Sequence, residues 1–257
     1  VIWPLVLLSF VVGLAIGSFM TVVVARLPEG ESVVAPRSKC PRCGTQLRNR
    51  DNVPVLGWLM LKGRCRQCGE PISLMYPAVE LSTAVLIAGA FAEYGDPARA
   101  VAVASLLALM PAIAVIDIQH RIIPNRIVYP ALIAFPAYLL VANVLGADVD
   151  LARMAGGFFL YGGMLLVVAL ISGGMGMGDV KLAALIGLVL GSLGLRHVGV
   201  AAGAAIVLGG LGGLLALALG KGRKAKIPFG PYLAVGAVVA AFLTEPISGW
   251  YLEFIWG

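Results

Sequence analysis

Asp117 and Asp179 are the residues of this chain best placed to do chemistry, because each stands at the mouth of an apolar segment of membrane-spanning character. Asp117 closes the charge-free run 100–116 in AVIDIQHRIIPN. Asp179 follows the glycine-rich stretch SGGMGMGD and opens a second apolar run. A carboxylate at bilayer depth costs about 2.5–3.5 kcal/mol on insertion scales, so two of them call for a reason. One ionised and one protonated carboxyl, held close together, supply a base to activate water and an acid to protonate a carbonyl or a leaving amine. Hydrolysis of a peptide bond fits such a pair, and an intramembrane aspartic peptidase is the leading reading. Spacing alone leaves others open. Either aspartate caps a helix N-terminus, a role that suits Asp179 at the start of its run. Asp117 pairs with Arg121 one helical turn on, and Asp179 with Lys181. Or the two relay ions, as in a proton- or metal-coupled transporter.

The surroundings of Asp179 sharpen the choice. Gly173, Gly174, Gly176 and Gly178 should interrupt the helix and leave backbone uncovered. Irregular backbone at membrane depth is tolerated only where protein or a water-filled cavity satisfies it. It also offers an edge for an extended substrate. Gly176, Gly178 and Lys181 are therefore candidate substrate-access residues. A transporter built on an inverted repeat would carry a matching broken helix in its first half, and GMGD has no counterpart there. Glu80 is a third carboxylate near a span, either a helix-end group or part of a polar pocket.

A second constellation is Cys40-Pro-Arg-Cys43-Gly and Cys65-Arg-Gln-Cys68-Gly, with the spacing C-x2-C-x21-C-x2-C. Two knuckles of this kind each aim two sulfurs at one point, and the glycine after each permits the backbone that closes the turn. Disulfides or free thiols are the other uses of such cysteines, and a cytosolic location opposes the former. Cys40, Cys43, Cys65 and Cys68 are thus expected to bind zinc. With all four positions filled by cysteine, the ion would be structural rather than catalytic. So small a polar segment would draw much of its stability from the metal.

The elements that must position these groups are membrane helices. The chain has 257 residues, of which 60% are hydrophobic and 12% charged. Soluble domains carry about 25% charged residues. Apolar runs at 1–25, 81–92, 100–116, 127–147, 154–171, 182–195, 198–220 and 227–244 predict eight spans. The first is read as a retained helix rather than a cleaved signal. With the N-terminus outside, sixteen of the nineteen Lys and Arg residues fall inside: Arg26, eight in 27–75, Arg121, Arg126, Lys181, Lys221, Arg223, Lys224 and Lys226. Only Arg99, Arg153 and Arg196 fall outside. This asymmetry predicts both termini outside and both aspartates facing the cytoplasm. The expected fold is all-α and polytopic: a first helix at 1–26, a cytosolic zinc-binding domain at 27–75 and a seven-helix membrane domain at 76–257. The net charge of +6 is accounted for by orientation and by anionic headgroups, so no nucleic-acid role is expected. No Ser/His/Asp order, HExxH helix, P-loop or Rossmann fingerprint is present.

In their joint order, these motifs resemble those of the type IV prepilin peptidases, the bifunctional leader peptidase/N-methyltransferases. They are GSFMTVVVARLP (17–28), PRSKCPRCG (36–44), DNVPVLGWLMLKGRCRQCG (51–69), PISLMYPAVEL (71–81), DIQHRIIPN (117–125), GMGDVKL (176–182) and IPFGPYLAVGA (227–237). The resemblance implies that Asp117 and Asp179, which match the family's D-x-x-x-x-x-I-P-N and G-x-G-D motifs, are the catalytic pair. It implies cleavage of the basic leaders of prepilins and type II secretion pseudopilins at the cytoplasmic face of a bacterial inner membrane. It also implies methylation of the new N-terminus from S-adenosylmethionine, since the cysteine segment marks the bifunctional form. One position departs from the pattern: Thr21 stands where G-S-F-x-N has asparagine, which bears on the methyl transfer and not on the cleavage.

Overall fold

The computed structural model describes residues 3–220 and 227–256. Among them the apolar runs form nine α-helices and no strand. These are α1 (Trp3–Arg26), α2 (Leu56–Met60), α3 (Met75–Glu93), α4 (Pro97–His120), α5 (Asn125–Val144), α6 (Leu151–Ser172), α7 (Met177–Leu193), α8 (Leu195–Ala218) and α9 (Gly230–Trp256). The basic cluster Lys221, Arg223, Lys224 and Lys226 lies outside the described residues.

Seven helices are long and apolar enough to cross a membrane: α1, α3, α4, α5, α6, α8 and α9. A count of eight requires α7, which forms where the run 182–195 was expected but has 17 residues. At 1.5 Å per residue it is about 26 Å long, against a hydrocarbon core of ~30 Å. Twelve of its residues are buried, so its environment is mostly protein.

Small residues bring the helices together. A Cβ on Gly157 of α6 would collide with the carbonyl of Gly187 on α7 and lie 2.9 Å from the Cα of Gly191. Likewise a Cβ on Gly13 or Gly17 of α1 would stand 2.7 Å from the Cα of Ala84 or Glu80 on α3. Without a hydrophobic force between helices in lipid, such backbone-to-backbone contact supplies the dispersion energy that holds them. Of the seven spans α4 is the most buried; it touches α1, α3, α5, α7 and α9. Leu106, Leu107 and Ile113 of α4 share the closed core with Leu185 and Ile186 of α7 and Leu233 of α9.

At one end of the bundle, Asp96 and Asp150 cap α4 and α6 through the backbone N–H groups of Arg99 and Arg153, at 2.8 and 2.9 Å. The other end gathers the finish of α4 and the starts of α5, α7 and α9, together with the segment between α1 and α3.

Candidate active site

Asp117 occupies the last turn of α4. That helix stops because Arg121 takes a left-handed backbone (φ 58°), and Pro124 bars a helical residue before it. The turn to α5 is therefore short and Asp117 stays inside the bundle, 5% exposed. Its Oδ2 accepts the backbone N–H of Gly230, the first residue of α9, at 2.8 Å. A helix N-terminus offers unsatisfied N–H groups and a positive dipole end, so a carboxylate is at home there. Capping is thus a real use of an aspartate here, but by Asp117, for a helix 113 residues away. Gly230 is required at that contact: a Cβ would sit 2.7 Å from Oδ2 and 3.1 Å from Cγ.

Asp179 lies in the first turn of α7, half-buried, its N–H bonded to the carbonyl of Gly176 at 3.1 Å. No side chain caps α7, so the N-cap role anticipated for Asp179 is not what the residue does. The turn is pinned to the α4–α5 connection, because a Cβ on Gly178 would meet Cβ of Ile123 at 3.0 Å. The first turn of α7, which bears Asp179, thus stands against the connection that follows Asp117. Neither aspartate forms an ion pair among the described residues. Lys181 turns away to α5, where its Nζ donates to Asn125 Oδ1 at 3.0 Å and lies 4.7 Å from the Tyr129 ring centroid. Arg121 meets Asp117 only through its backbone N–H, which donates to the Asp117 carbonyl at 2.9 Å.

The glycine run divides in two. Gly173, in a left-handed backbone (φ 59°), ends α6, and a Cβ there would meet open space. Gly178 is the opposite case, a packing glycine against Ile123, so the uncovered backbone lies upstream of Asp179 rather than beside it.

Glu80, buried in α3, accepts the N–H of Val55 through Oε2 at 2.7 Å. Val55 holds φ 61°, a conformation that costs a β-branched residue on the order of 1–3 kcal/mol and persists only where its surroundings fix it. The segment between α1 and α3 is thereby latched to the bundle. Thr21 is buried in α1, and its hydroxyl donates to the Ser18 carbonyl at 2.7 Å, so it is satisfied within its own helix.

The two cysteine knuckles repeat each other. Cys40 N–H donates to the Thr45 carbonyl at 2.9 Å and Cys65 N–H to the Glu70 carbonyl at 2.7 Å. Gly44 and Gly69 close the turns at φ 70° and 72°, the backbone that the sequence assigned to them. The four Sγ atoms lie within 4.8 Å of one another, and Cys40 Sγ is 3.8 Å from Cys68 Sγ. A tetrahedron with metal–sulfur bonds of ~2.3 Å has edges of about 3.8 Å, so the cluster can hold a metal ion. The thiols share charge unevenly. The Thr45 side chain, then its backbone, draws Cys43 down to about 6. The Glu70 backbone pulls Cys68 down, but burial and the other three sulfurs together push it up to about 12. A dication would relieve that crowding of negative charge. Arg42 pairs with Glu70 across the knuckles, and Arg66 with Asp51 at 2.6 Å, which holds the Asp51 carboxyl below its usual range.

Fold and site together define a polytopic membrane protein with a buried and a half-buried aspartate on separate helices and a four-cysteine cluster in the segment between α1 and α3. The model of the bacterial peptidase A24 N-terminal domain matches residues 11–94, and that of the type IV leader peptidase family matches residues 104–243. The chain belongs to the type IV leader peptidase family. A prepilin leader peptidase/N-methyltransferase of Bacillus subtilis (strain 168) is 34% identical over 248 residues, which cover 96% of this chain and 98% of that protein. One from Burkholderia pseudomallei (strain 1026b) is 36% identical over 271 residues, with 93% and 85% covered. A third, from Pseudomonas aeruginosa, is 32% identical over 283 residues, with 97% and 94% covered. No solved structure matches the chain.

Proposed function

We propose that this chain is an aspartic endopeptidase of the bacterial inner membrane. It removes the leader peptides of type IV prepilins and type II secretion pseudopilins at the cytoplasmic face, then methylates the new N-terminus. The observation that supports the reading is the contact of the first turn of α7, which bears Asp179, with the connection that follows Asp117. The names of the relatives support both activities.

In this mechanism the two carboxyls share one proton. The ionised one takes a proton from water as the water oxygen bonds to the scissile carbonyl carbon. The protonated one gives its proton to the carbonyl oxygen. Collapse of the tetrahedral intermediate breaks the C–N bond, and the proton taken from water goes to the leaving amine. The Gly230 N–H fixes Asp117, while the open backbone at Gly173 gives an unwound peptide room to approach. Gly176 and Lys181 shape that approach, Lys181 by tying the start of α7 to α5.

Counting α7 as a crossing gives eight spans with both termini outside, the arrangement favoured by sixteen internal against three external basic residues. Residues 1–26, 27–75 and 76–257 are then a first helix, a zinc module and the catalytic membrane domain. Cys40, Cys43, Cys65 and Cys68 would hold a structural Zn2+ with no open position. S-adenosylmethionine is the methyl donor. The transporter alternative has no support from family membership.

The direct test incubates the purified chain with a prepilin and weighs the product. The expected outcome is a pilin shorter by its leader and, with S-adenosylmethionine added, heavier by one methyl group. Unchanged prepilin beside folded enzyme would overturn the reading. Gly178→Val offers a finer test. Its branched side chain should displace Ile123 and the α4–α5 turn, lowering cleavage by roughly 10²-fold, the scale of a 1 Å misplacement. Gly213→Val, on α8 where a Cβ meets nothing within 4 Å, should cleave normally. The opposite pattern would remove Gly178 from the site.

A further inference from the structure

A cavity of about 390 Å³ lies between the end of α1 and the cysteine segment, with neither aspartate in its lining. That volume falls in the ~300–1,000 Å³ range of small-ligand sites. Two guanidinium groups line it, those of Arg26 and Arg37, and no acidic residue is among the described residues that do. Arg26 spends one donor on the Ser32 carbonyl at 3.1 Å, and Arg37 spends one on Asn49 Oδ1. Each fork has five, so donors remain for a ligand. Ser38 and Asn52 add a hydroxyl and a side-chain amide.

This chemistry selects an anion. A cationic ligand such as a sulfonium methyl donor would face two arginines and no carboxylate among the described lining residues. Paired guanidiniums backed by amide donors suit phosphate oxygens.

The position selects the source of the phosphate. Arg26 is the last residue of the spanning helix α1, and Val22, one turn further in, forms an apolar wall. Val34, 87% exposed, also lines it. The 3-10 turn Asn49–Asn52 leads to α2, which leaves Leu56, Leu59 and Met60 exposed. The start of α2 is latched at Glu80, five residues (about 7.5 Å) into the span α3. The cavity and these bare apolar side chains thus stand at the boundary of the bilayer.

We propose that this cavity binds the phosphate of an anionic phospholipid, seating the cysteine segment on the leaflet in which α1 ends. The full chain, in non-ionic detergent, would be titrated with phosphatidylglycerol, phosphatidylcholine or inorganic phosphate, and bound molecules counted by native mass spectrometry. One phosphatidylglycerol per chain is expected to be retained in preference to phosphatidylcholine. Arg26→Gln or Arg37→Gln should weaken it about fivefold, and the double variant ~30-fold. Arg26→Lys with Arg37→Lys should restore most of the binding. Equal retention by wild type and a folded double glutamine variant would overturn the site. So would equal retention of the two lipids by wild type, a comparison that needs no variant to fold. Capture of inorganic phosphate with no lipid retained would assign the cavity to a soluble anion and overturn the lipid.

Discussion

Asp117→Asn and Asp179→Asn are each expected to lower prepilin cleavage by roughly 10²–10⁴-fold, the range of acid–base catalysis, while the protein stays folded in the membrane. Asparagine keeps the size and polarity of aspartate but cannot exchange the proton the mechanism needs. At position 117 the structure makes the test sharper. The amide oxygen of asparagine can still accept the Gly230 N–H, so the start of α9 keeps its partner. Asp117→Ala would remove that acceptor and leave a buried N–H unsatisfied, at about 1–3 kcal/mol. Catalysis and capping therefore separate. If Asp117→Asn cleaves normally and only Asp117→Ala loses folded protein, Asp117 is a cap and the dyad fails. Mass spectrometry of the pilin product and the thermal midpoint of each variant decide between these outcomes.

The second large effect concerns the metal. Replacing Cys40 and Cys43 with serine removes two of the four sulfurs that lie within 4.8 Å of one another. Structural zinc contributes about 10–16 kcal/mol in isolated finger peptides, more than so small a module could otherwise muster. Elemental analysis should show one zinc per wild-type chain and close to none in the double variant. Limited proteolysis should then cut within residues 27–75. Methylation is expected to fall at least as far as cleavage, because both aspartates lie outside that segment. Freshly purified wild-type protein without zinc would refute the metal assignment, and a zinc-free variant that resists proteolysis would refute its structural role.

What could be read in advance follows from how local each cause is. The cysteine knuckles were legible because four residues set each turn, and Gly44 and Gly69 take the positive φ that the closure requires. The helices were legible because apolar runs are long, and Asp117 and Asp179 drew notice as candidates because a carboxylate in such a run is conspicuous. The partners of those carboxylates were not legible. Nothing near Asp117 marks Gly230 as its donor across 113 residues, and the family motif around Gly230 names the residue without its contact. Gly178 read as open backbone because composition cannot show Ile123 standing against it. α7 read as a marginal span with its surroundings unknown for the same reason: hydropathy registers an apolar sequence and is blind to whether lipid or protein surrounds it.

The bond from Val55 to Glu80 joins the history of the cysteine segment to a residue outside it. A chain shortened by that segment would keep the glutamate packed beneath α1, where Gly17 lies on its backbone and Ser18 bonds to it, and would lose only the Val55 N–H. Losing one of two donors to a buried carboxylate costs about 1–3 kcal/mol, so selection would favour replacing it. Family members without the cysteines are therefore expected to carry a non-acidic residue at the position of Glu80. A survey in which they commonly retain the acid would contradict this. In evolutionary terms the glutamate belongs to the segment it holds rather than to the helix that bears it.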